Sequence, residues 1–214
     1  MLSNSLEKIY LDSNVWFSFL LNTTEDKRNN RDNDKTSIES KEAHLVINKI
    51  ISNSNAIALT SHLVIIEIIS IIRKKVASKM KIHGNKDIDD RESKINLKKI
   101  IDELTRQFID YITKWEATGK LQIVKLDESL SSVLQKEQKI LKNSFGEIKK
   151  TSRCFVCKSE YHEYSYRGID HYDIQHAIIA ECAKADKFIT FDRGYEFIKK
   201  DFPSLDIQIL DVIK

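Results

Sequence analysis

The stretch Lys8-Ile-Tyr-Leu-Asp12-Ser-Asn-Val15 contains a short apolar run that ends in an acidic residue. Such a run predicts a buried strand, and Ser13 and Asn14 are residue types that cap a helix over 15–21. A second stretch near the end of the chain, Lys187-Phe-Ile-Thr-Phe-Asp192, has the same form. Because the carboxyl ends of parallel strands share one edge of a sheet, we predict that Asp12 and Asp192 meet there, although 180 residues separate them.

Apolar runs of strand length alternate with helical patterns along most of the chain. This alternation indicates an α/β fold, a sandwich of helices around a central parallel sheet. The polar segment 22–37 is predicted to be a loop or disordered insertion, and 143–168 to be irregular. Strands are predicted at 8–12, 56–59, 121–125, 187–191 and 207–210, and helices at 15–21, 38–52, 61–80, 92–117, 127–142, 170–184 and 195–200.

The composition limits the classes of protein to which the chain can belong. A chain of 214 residues with 41% hydrophobic residues can bury one sizeable core, and we treat 1–214 as a single domain with insertions. The net charge of +3 permits nucleic-acid binding without requiring it. Three cysteines are too few for a disulfide framework, which favours a cytoplasmic protein. The longest apolar run, 63–72, is too short to span a membrane and contains a glutamate, so we expect no membrane association.

Two more acidic residues occupy positions where an apolar pattern would not place a charge. Glu67 interrupts the apolar run 63–69, and Asp173 lies in the first turn of the helix predicted at 170–184. A lone buried carboxylate costs several kcal/mol unless it is paired or bound to a metal. With Asp12 and Asp192, these residues therefore predict one acidic pocket of the kind that binds divalent cations, which cleave nucleic acid when held beside phosphates.

Each acid also has a structural alternative. Asp12 and Asp192 can cap the elements that follow them, and Glu67 can pair with a lysine or arginine on a neighbouring helix. Asp173 suits the first turn of a helix because of the helix dipole. Asp170, three positions earlier on the same helical face, can replace or assist Asp173. These alternatives do not exclude the acidic pocket, since a capping aspartate can also bind a metal.

Four segments together resemble the PIN-domain family, which includes the VapC-type toxin ribonucleases and RNA-processing nucleases. The order of the segments and the strand–Thr-x-Asp-Arg pattern in the last of them carry the resemblance, which covers 8–76 and 120–212 in outline. The segments are Ile9-Tyr-Leu-Asp12-Ser-Asn-Val, Thr60-Ser-His-Leu-Val-Ile-Ile-Glu67, Asp173-Ile-Gln-His-Ala-Ile-Ile-Ala-Glu-Cys-Ala and Phe188-Ile-Thr-Phe-Asp192-Arg-Gly-Tyr-Glu-Phe.

The resemblance implies a PIN-like three-layer sandwich and Mg²⁺- or Mn²⁺-dependent hydrolysis of RNA to 5′-phosphate and 3′-hydroxyl ends. It implies that Asp12, Glu67, Asp173 and Asp192 hold the metal, with hydrogen-bonding support from Asn14, Thr190 and Asp170. The chain exceeds a compact PIN domain at about 22–37, 80–117 and 143–168. Toxins of this family commonly dimerise and are blocked by an antitoxin, so a homodimer and an antitoxin are expected partners.

Two other functions fit the same segments. One is a catalytically silent PIN scaffold that binds RNA or a protein partner, although the presence of all four acids argues against it. The other is a structure-specific DNA nuclease, which the lack of an obvious helical arch or DNA-binding motif disfavours.

A basic stretch at 136–158 suggests a path for nucleic acid. It holds seven lysine or arginine residues against two glutamates, including Lys149, Lys150 and Arg153, and three tyrosines follow it. Basic residues beside aromatic ones suit single-stranded RNA. The alternative is an ordinary solvated face.

The pair Cys154 and Cys157 has the spacing of metal ligands, and His162 follows it. A structural zinc site requires four ligands, and His171 or Cys182 would have to be the fourth. The preferred interpretation is two partly buried thiols in a loop. Likewise, His62 and His176 are expected to pack or form hydrogen bonds rather than to bind a metal.

Overall fold

The computed structural model describes residues 6–25, 35–82, 91–125, 130–153, 160–166 and 169–210. Within these ranges, five strands form an all-parallel sheet and two form an antiparallel hairpin. The strands are β1 (Glu7–Leu11), β2 (Ala56–Ser61), β3 (Leu121–Val124), β4 (Phe145–Arg153), β5 (Glu160–Tyr166), β6 (Lys187–Thr190) and β7 (Asp206–Ile209). The parallel sheet has the order β3-β2-β1-β6-β7, with β4 and β5 forming the hairpin.

Helices follow or precede the strands of the parallel sheet, as the alternating pattern predicts. They are α1 (Ser13–Glu25), α2 (Lys35–Ser52), α3 (His62–Ile82), α4 (Arg91–Ala117), α5 (Leu130–Ser144) and α6 (His171–Cys182). Two 3₁₀ turns, Arg193–Phe197 and Lys199–Asp201, connect β6 to β7. The α/β class with a parallel sheet is therefore confirmed, and the arrangement is consistent with a three-layer sandwich.

The central strand β1 is buried along residues 9–11. A strand between two neighbours, with helices over both faces, has no solvent side, which is why Ile9, Tyr10 and Leu11 are apolar in succession rather than alternating with polar residues. On one side, Trp16 of α1 packs against Phe108 and Trp115 of α4, with ring centroids 6.2 and 5.6 Å away. The long helix predicted at 92–117 is thus part of the core and supports α1, which begins at the candidate site.

Two predictions about irregular segments were wrong in part. Helices α1 and α2 extend into the segment 22–37 from both ends, because a helix that begins in the core propagates into polar residues cheaply. The segment 143–168, predicted to be irregular, contains the β4–β5 hairpin. Register shifts near Ile148 interrupt the regular pairing of β4 with β5, and the sequence of β4 shows no regular two-residue period.

The helix predicted at 170–184 ends earlier, at Cys182. Lys184 adopts a left-handed conformation with φ of 53°, and the amide of Ala185 donates to the carbonyl of Ala180. This is the Schellman ending, which usually places glycine at the left-handed position. The sequence carries no glycine there, so the end of the helix was not visible in it.

The helix predicted at 195–200 is also different, because the chain forms the two short 3₁₀ turns instead. Cys154 and Cys157, the cysteines with zinc-ligand spacing, lie outside the described residues. Across the part of the chain that the structure describes, no helix is long and apolar enough to cross a membrane.

Candidate active site

Asp12 and Asp192 lie at the carboxyl ends of two adjacent parallel strands. Asp12 directly follows β1, and Asp192 comes two residues after Thr190, the last residue of β6. The chain leaves β1 for β2 on one side of the sheet and returns to β6 on the other, so this is the point where the strand order reverses. Crevices form at such points because the helices on either side diverge, and ligands of α/β proteins commonly bind there.

The Asp12 carboxylate is almost completely buried, with 1% of the residue exposed, and is surrounded by hydrogen-bond donors. Its Oδ1 accepts from the Ser13 amide at 2.7 Å, and its Oδ2 accepts from Thr190 Oγ1 at 2.7 Å and Asn14 Nδ2 at 2.9 Å. Burial raises the pKa of Asp12, while the charge of His176 and the hydrogen bonds from Thr190 and Ser13 offset part of that rise. Asp12 is therefore a preorganised carboxylate.

Asn14 and Thr190 join the ends of β1 and β6 through one hydrogen-bond network. Thr190 Oγ1 donates to Asp12 and accepts from Asn14 Nδ2 at 2.9 Å and from the Asp192 amide at 2.9 Å. Asn14 Oδ1 accepts from the Phe191 amide at 3.1 Å. The threonine hydroxyl thus uses its one hydrogen and both lone pairs. Of the three residues predicted to support the acids by hydrogen bonding, Asn14 and Thr190 contact Asp12 directly.

Glu67 pairs with a histidine rather than with the lysine or arginine that the structural alternative names. Its Oε2 lies 2.7 Å from His176 Nε2. Partial burial raises the pKa of Glu67, but the hydrogen bond and charge of His176, with smaller effects from Ser13 and Lys74, outweigh burial and leave the pKa below its usual value. Glu67 is therefore ionised at neutral pH and accepts hydrogen bonds from His176 and from the side chain of Ser13.

His176 is buried, and sequence reasoning expected it only to pack or form hydrogen bonds. Burial lowers the pKa of His176, but its hydrogen bond to Glu67 and the charges of Asp12, Glu67 and Asp173 more than compensate, so the pKa is raised. Helical spacing was the signal that would have placed it in the site. His176 comes three residues after Asp173 and therefore shares its helix face.

Asp170 and Asp173 cap the start of α6 in a reciprocal arrangement. Asp170 Oδ1 accepts from the amides of Tyr172 and Asp173 at 2.8 and 3.1 Å, and Asp173 Oδ2 accepts from the Asp170 amide at 2.8 Å. This is a capping box. The structural alternative for Asp173 is thus realised, and Asp170 assists Asp173 rather than replacing it.

Asp173 also belongs electrostatically to the same site as Asp12 and Asp192. The pKa of Asp173 is raised to about 8, mainly by burial and also by the charges of Asp170, Asp12 and Asp192, against the lowering effect of the Asp170 backbone hydrogen bond. Asp192 itself caps the following 3₁₀ turn, since its Oδ1 accepts from the Gly194 amide at 2.7 Å. We call Asp12, Glu67, Asp173 and Asp192 the acidic cluster.

The acidic cluster fits a divalent cation by charge and donor type. Carboxylate oxygens are the ligands that Mg²⁺ and Mn²⁺ prefer. No ion pair among the described residues joins Asp12, Asp173 or Asp192 to a lysine or arginine. The raised pKa of Asp173 comes mainly from burial, and the charges of Asp170, Asp12 and Asp192, which a cation would neutralise, add to it.

The side chains are nevertheless not placed as a finished metal site. Among the described residues, no group of three or more histidine, cysteine, aspartate or glutamate side chains is arranged to hold a metal ion. The hydrogen bonds explain part of this, because Asp12 uses both of its oxygens and Glu67 directs Oε2 at His176. Binding a cation requires the carboxylates to rotate toward one another.

The basic residues Lys149, Lys150 and Arg153 all lie on β4, outside the parallel sheet. In the register of the hairpin, Lys150 stands opposite Glu163 and Arg153 opposite Glu160 on β5. The basic stretch predicted at 136–158 thus divides between α5, which carries Lys136, Lys139 and Lys142, and β4, while Lys158 lies outside the described residues.

Comparison of the chain with family models, with curated proteins and with solved structures gives no match. The resemblance to the PIN family, and the roles that it implies for the acidic cluster, therefore stay predictions.

Proposed function

We propose that this protein is an endoribonuclease of the PIN type that uses Mg²⁺ or Mn²⁺ to hydrolyse RNA to 5′-phosphate and 3′-hydroxyl ends. The observation that supports the proposal most is electrostatic: near the reversal point of a parallel sheet, Asp12 senses the charge of Glu67, and Asp173 senses the charges of Asp12 and Asp192. Residues that are 180 positions apart contribute to it. If these acids served only to cap helices and turns, their charges would not need to lie close together.

The residues of the chain would position the reaction, and the cation would supply its electrostatics. A divalent cation lowers the pKa of water and stabilises negative charge on the leaving oxygen. Asp12, fixed by the network of Asn14 and Thr190, is the most rigid of the four acids. Glu67 is held by hydrogen bonds from His176 and Ser13, and Asp173 and Asp192 are each held by a hydrogen bond at one oxygen.

RNA is the preferred substrate because of the family resemblance, and the basic strand β4 supplies charge for a phosphate backbone. A toxin blocked by an antitoxin is one biological setting for such an enzyme. A homodimer and an antitoxin partner follow from the resemblance.

The test is cleavage of a mixed single-stranded RNA by the wild type and by Asp12→Asn, with Mn²⁺ or with EDTA. We expect cleavage that requires both the metal and Asp12, with a loss exceeding the roughly 10- to 100-fold typical of residues that only support metal ligands. Asp102→Asn is the matched control because Asp102 is an exposed aspartate on α4, away from the sheet edge. Metal-independent cleavage, or equal cleavage by Asp12→Asn and the wild type, would refute the proposal.

The catalytically silent scaffold is favoured by one observation, the absence of a finished three-ligand arrangement among the described residues. Calorimetry separates the two functions. A nuclease should bind Mn²⁺ in a manner that depends on Asp12 and Asp192, whereas a silent scaffold should not. Running the cleavage assay with DNA in place of RNA distinguishes a structure-specific DNA nuclease from a ribonuclease.

A further inference from the structure

A chain of hydrogen-bonded side chains runs through the core beneath the acidic cluster and ends at Glu67. Ser61 Oγ lies 2.9 Å from the Tyr10 hydroxyl, the Tyr10 hydroxyl lies 3.3 Å from His176 Nδ1, and His176 Nε2 lies 2.7 Å from Glu67 Oε2. The four residues come from β2, β1, α6 and α3. The chain therefore links β1 and β2 to the two helices that carry Glu67 and Asp173.

The buried part of the chain has little freedom. Tyr10 is fully buried and His176 is 1% exposed, so neither side chain can turn toward water. Tyr10 stacks on Phe188 at a centroid distance of 5.4 Å, which fixes its ring. At the far end, Ser61 Oγ accepts from the Val64 amide at 3.3 Å in the first turn of α3. Both ring nitrogens of His176 thus have fixed partners.

The direction of the last hydrogen bond follows from the chemistry of its partners. An ionised carboxylate only accepts, so Nε2 of His176 carries the hydrogen that Glu67 receives. Nδ1 faces a hydroxyl group, which can donate or accept. A hydrogen bond at Nδ1 fixes the orientation of the ring, and the ring in turn fixes the position of Glu67 Oε2.

Glu67 needs such a support more than the other acids do. Its side chain is one-third exposed and has three rotatable bonds, so without a buried partner it would sample positions in solvent. Asp12, in contrast, is held by residues next to it in the chain and by the adjacent strand.

We propose that His176 is a positioning residue for Glu67, holding Oε2 from the core so that the glutamate stays beside Asp12 when a cation binds. Tyr10 acts one step behind, by fixing the ring of His176. The part of the inference that concerns the cation rests on the proposed function. The part that concerns the position of Glu67 rests on the observed hydrogen bonds. A buried histidine with no positioning role would need a hydrogen-bond partner for its ring nitrogens, whatever that partner is. The positioning role instead requires a hydrogen-bond donor at the place of Nε2.

Two substitutions of His176 separate these possibilities. The amide nitrogen of His176→Gln reaches the place of Nε2 and keeps a donor for Glu67. That of His176→Asn reaches only the place of Nδ1, beside Tyr10. Glu67→Gln and Tyr10→Phe complete the set, and thermal melting verifies that each variant folds.

The first measurement is NMR of the His176 imidazole in EDTA, which involves no metal. We expect an Nε2–H signal that exchanges slowly with water, keeps its position in the control Asp102→Asn, and shifts clearly in Glu67→Gln. An Nε2–H signal that is unaffected by Glu67→Gln would overturn the positioning role.

The second measurement is Mn²⁺ binding, followed by electron paramagnetic resonance on the same proteins. We expect His176→Asn to weaken Mn²⁺ binding roughly 10- to 100-fold, and His176→Gln to bind nearly as well as the wild type. In the Glu67→Gln background, His176→Asn should cause little additional loss, because the carboxylate that His176 positions for the cation is already gone. Equal losses in the asparagine and glutamine variants, or full additivity with Glu67→Gln, would overturn the inference. Failure of the wild type to bind Mn²⁺ would instead refute the proposed metal site, and the NMR result would decide the positioning role.

Discussion

Thr190 donates its hydroxyl hydrogen to Oδ2 of Asp12 over 2.7 Å, although 178 residues separate the two in the chain. The bond crosses from the last residue of β6 to the residue after β1, and both partners are buried. A donor on each oxygen favours the ionised form of Asp12 and offsets part of the rise in pKa that burial causes. The contact therefore connects the pairing of the two central strands to the charge of the candidate site.

Thr190→Val should destabilise the protein, because it leaves a buried carboxylate oxygen and the Asp192 amide with one partner fewer. We expect a loss of about 1–3 kcal/mol in the free energy of unfolding, measured with urea, and recovery with Thr190→Ser. Thr60→Val is the matched control. Thr60 is also a fully buried sheet residue, but its hydroxyl has no hydrogen-bond partner among the described residues. Removing that hydroxyl should be neutral or slightly stabilising, and equal effects at the two positions would contradict the assigned bond.

Asp173 should make the metal-free protein less stable as the pH rises. Its pKa is raised in the folded state from 3.8 to about 8, so the folded protein retains a proton that the unfolded chain has lost. The associated stability is complete below pH 3.8 and disappears as the pH rises through about 8. Asp173→Asn keeps an oxygen for the capping box but removes the titration. Unfolding curves in EDTA across this range should therefore show a flatter pH dependence for Asp173→Asn, and parallel curves would contradict the burial and charge assigned to Asp173.

Neutralising the basic strand should weaken RNA binding and its dependence on salt. In the Asp12→Asn background, which prevents cleavage, we expect Lys149→Ala, Lys150→Ala and Arg153→Ala together to lower the slope of affinity against salt by about 2, if each contacts one phosphate of a single strand. The control removes three exposed lysines of α4, namely Lys98, Lys99 and Lys114. Equal effects of the two triple variants would indicate general attraction rather than a binding surface.

Two helix ends with the same geometry should respond oppositely to substitution. Gly119, just after the end of α4, has a φ of 69°, and Lys184, just after the end of α6, has a φ of 53°. The left-handed conformation costs a lysine about 1 kcal/mol relative to glycine, so Lys184→Gly should stabilise the protein by about that amount. Gly119→Ala should destabilise it similarly, and only through the backbone, since no described atom lies within 4 Å of the added Cβ. Thermal or urea unfolding measures both, and a destabilising Lys184→Gly would be the contrary result.

The strands of the parallel sheet were predictable because their signal is local. Each is a short apolar run, and the predicted strand at 8–12 differs from the observed Glu7–Leu11 by one residue at each end. The hairpin was missed for a physical reason as well. Irregular pairing near Ile148 removes the alternation that a regular strand shows, so the pattern of β4 becomes visible only beside β5.

The sequence by itself determined which acids follow strands and open helices, because strand and helix signals extend over a few residues only. It therefore placed Asp12 and Asp192 at one edge of the sheet before the structure did. Tertiary structure alone decided what Glu67 pairs with. Its partner His176 is 109 residues away, and the contact exists because α3 and α6 bring their faces together over Tyr10. A pairing between distant side chains depends on how whole helices pack, and no local pattern records it.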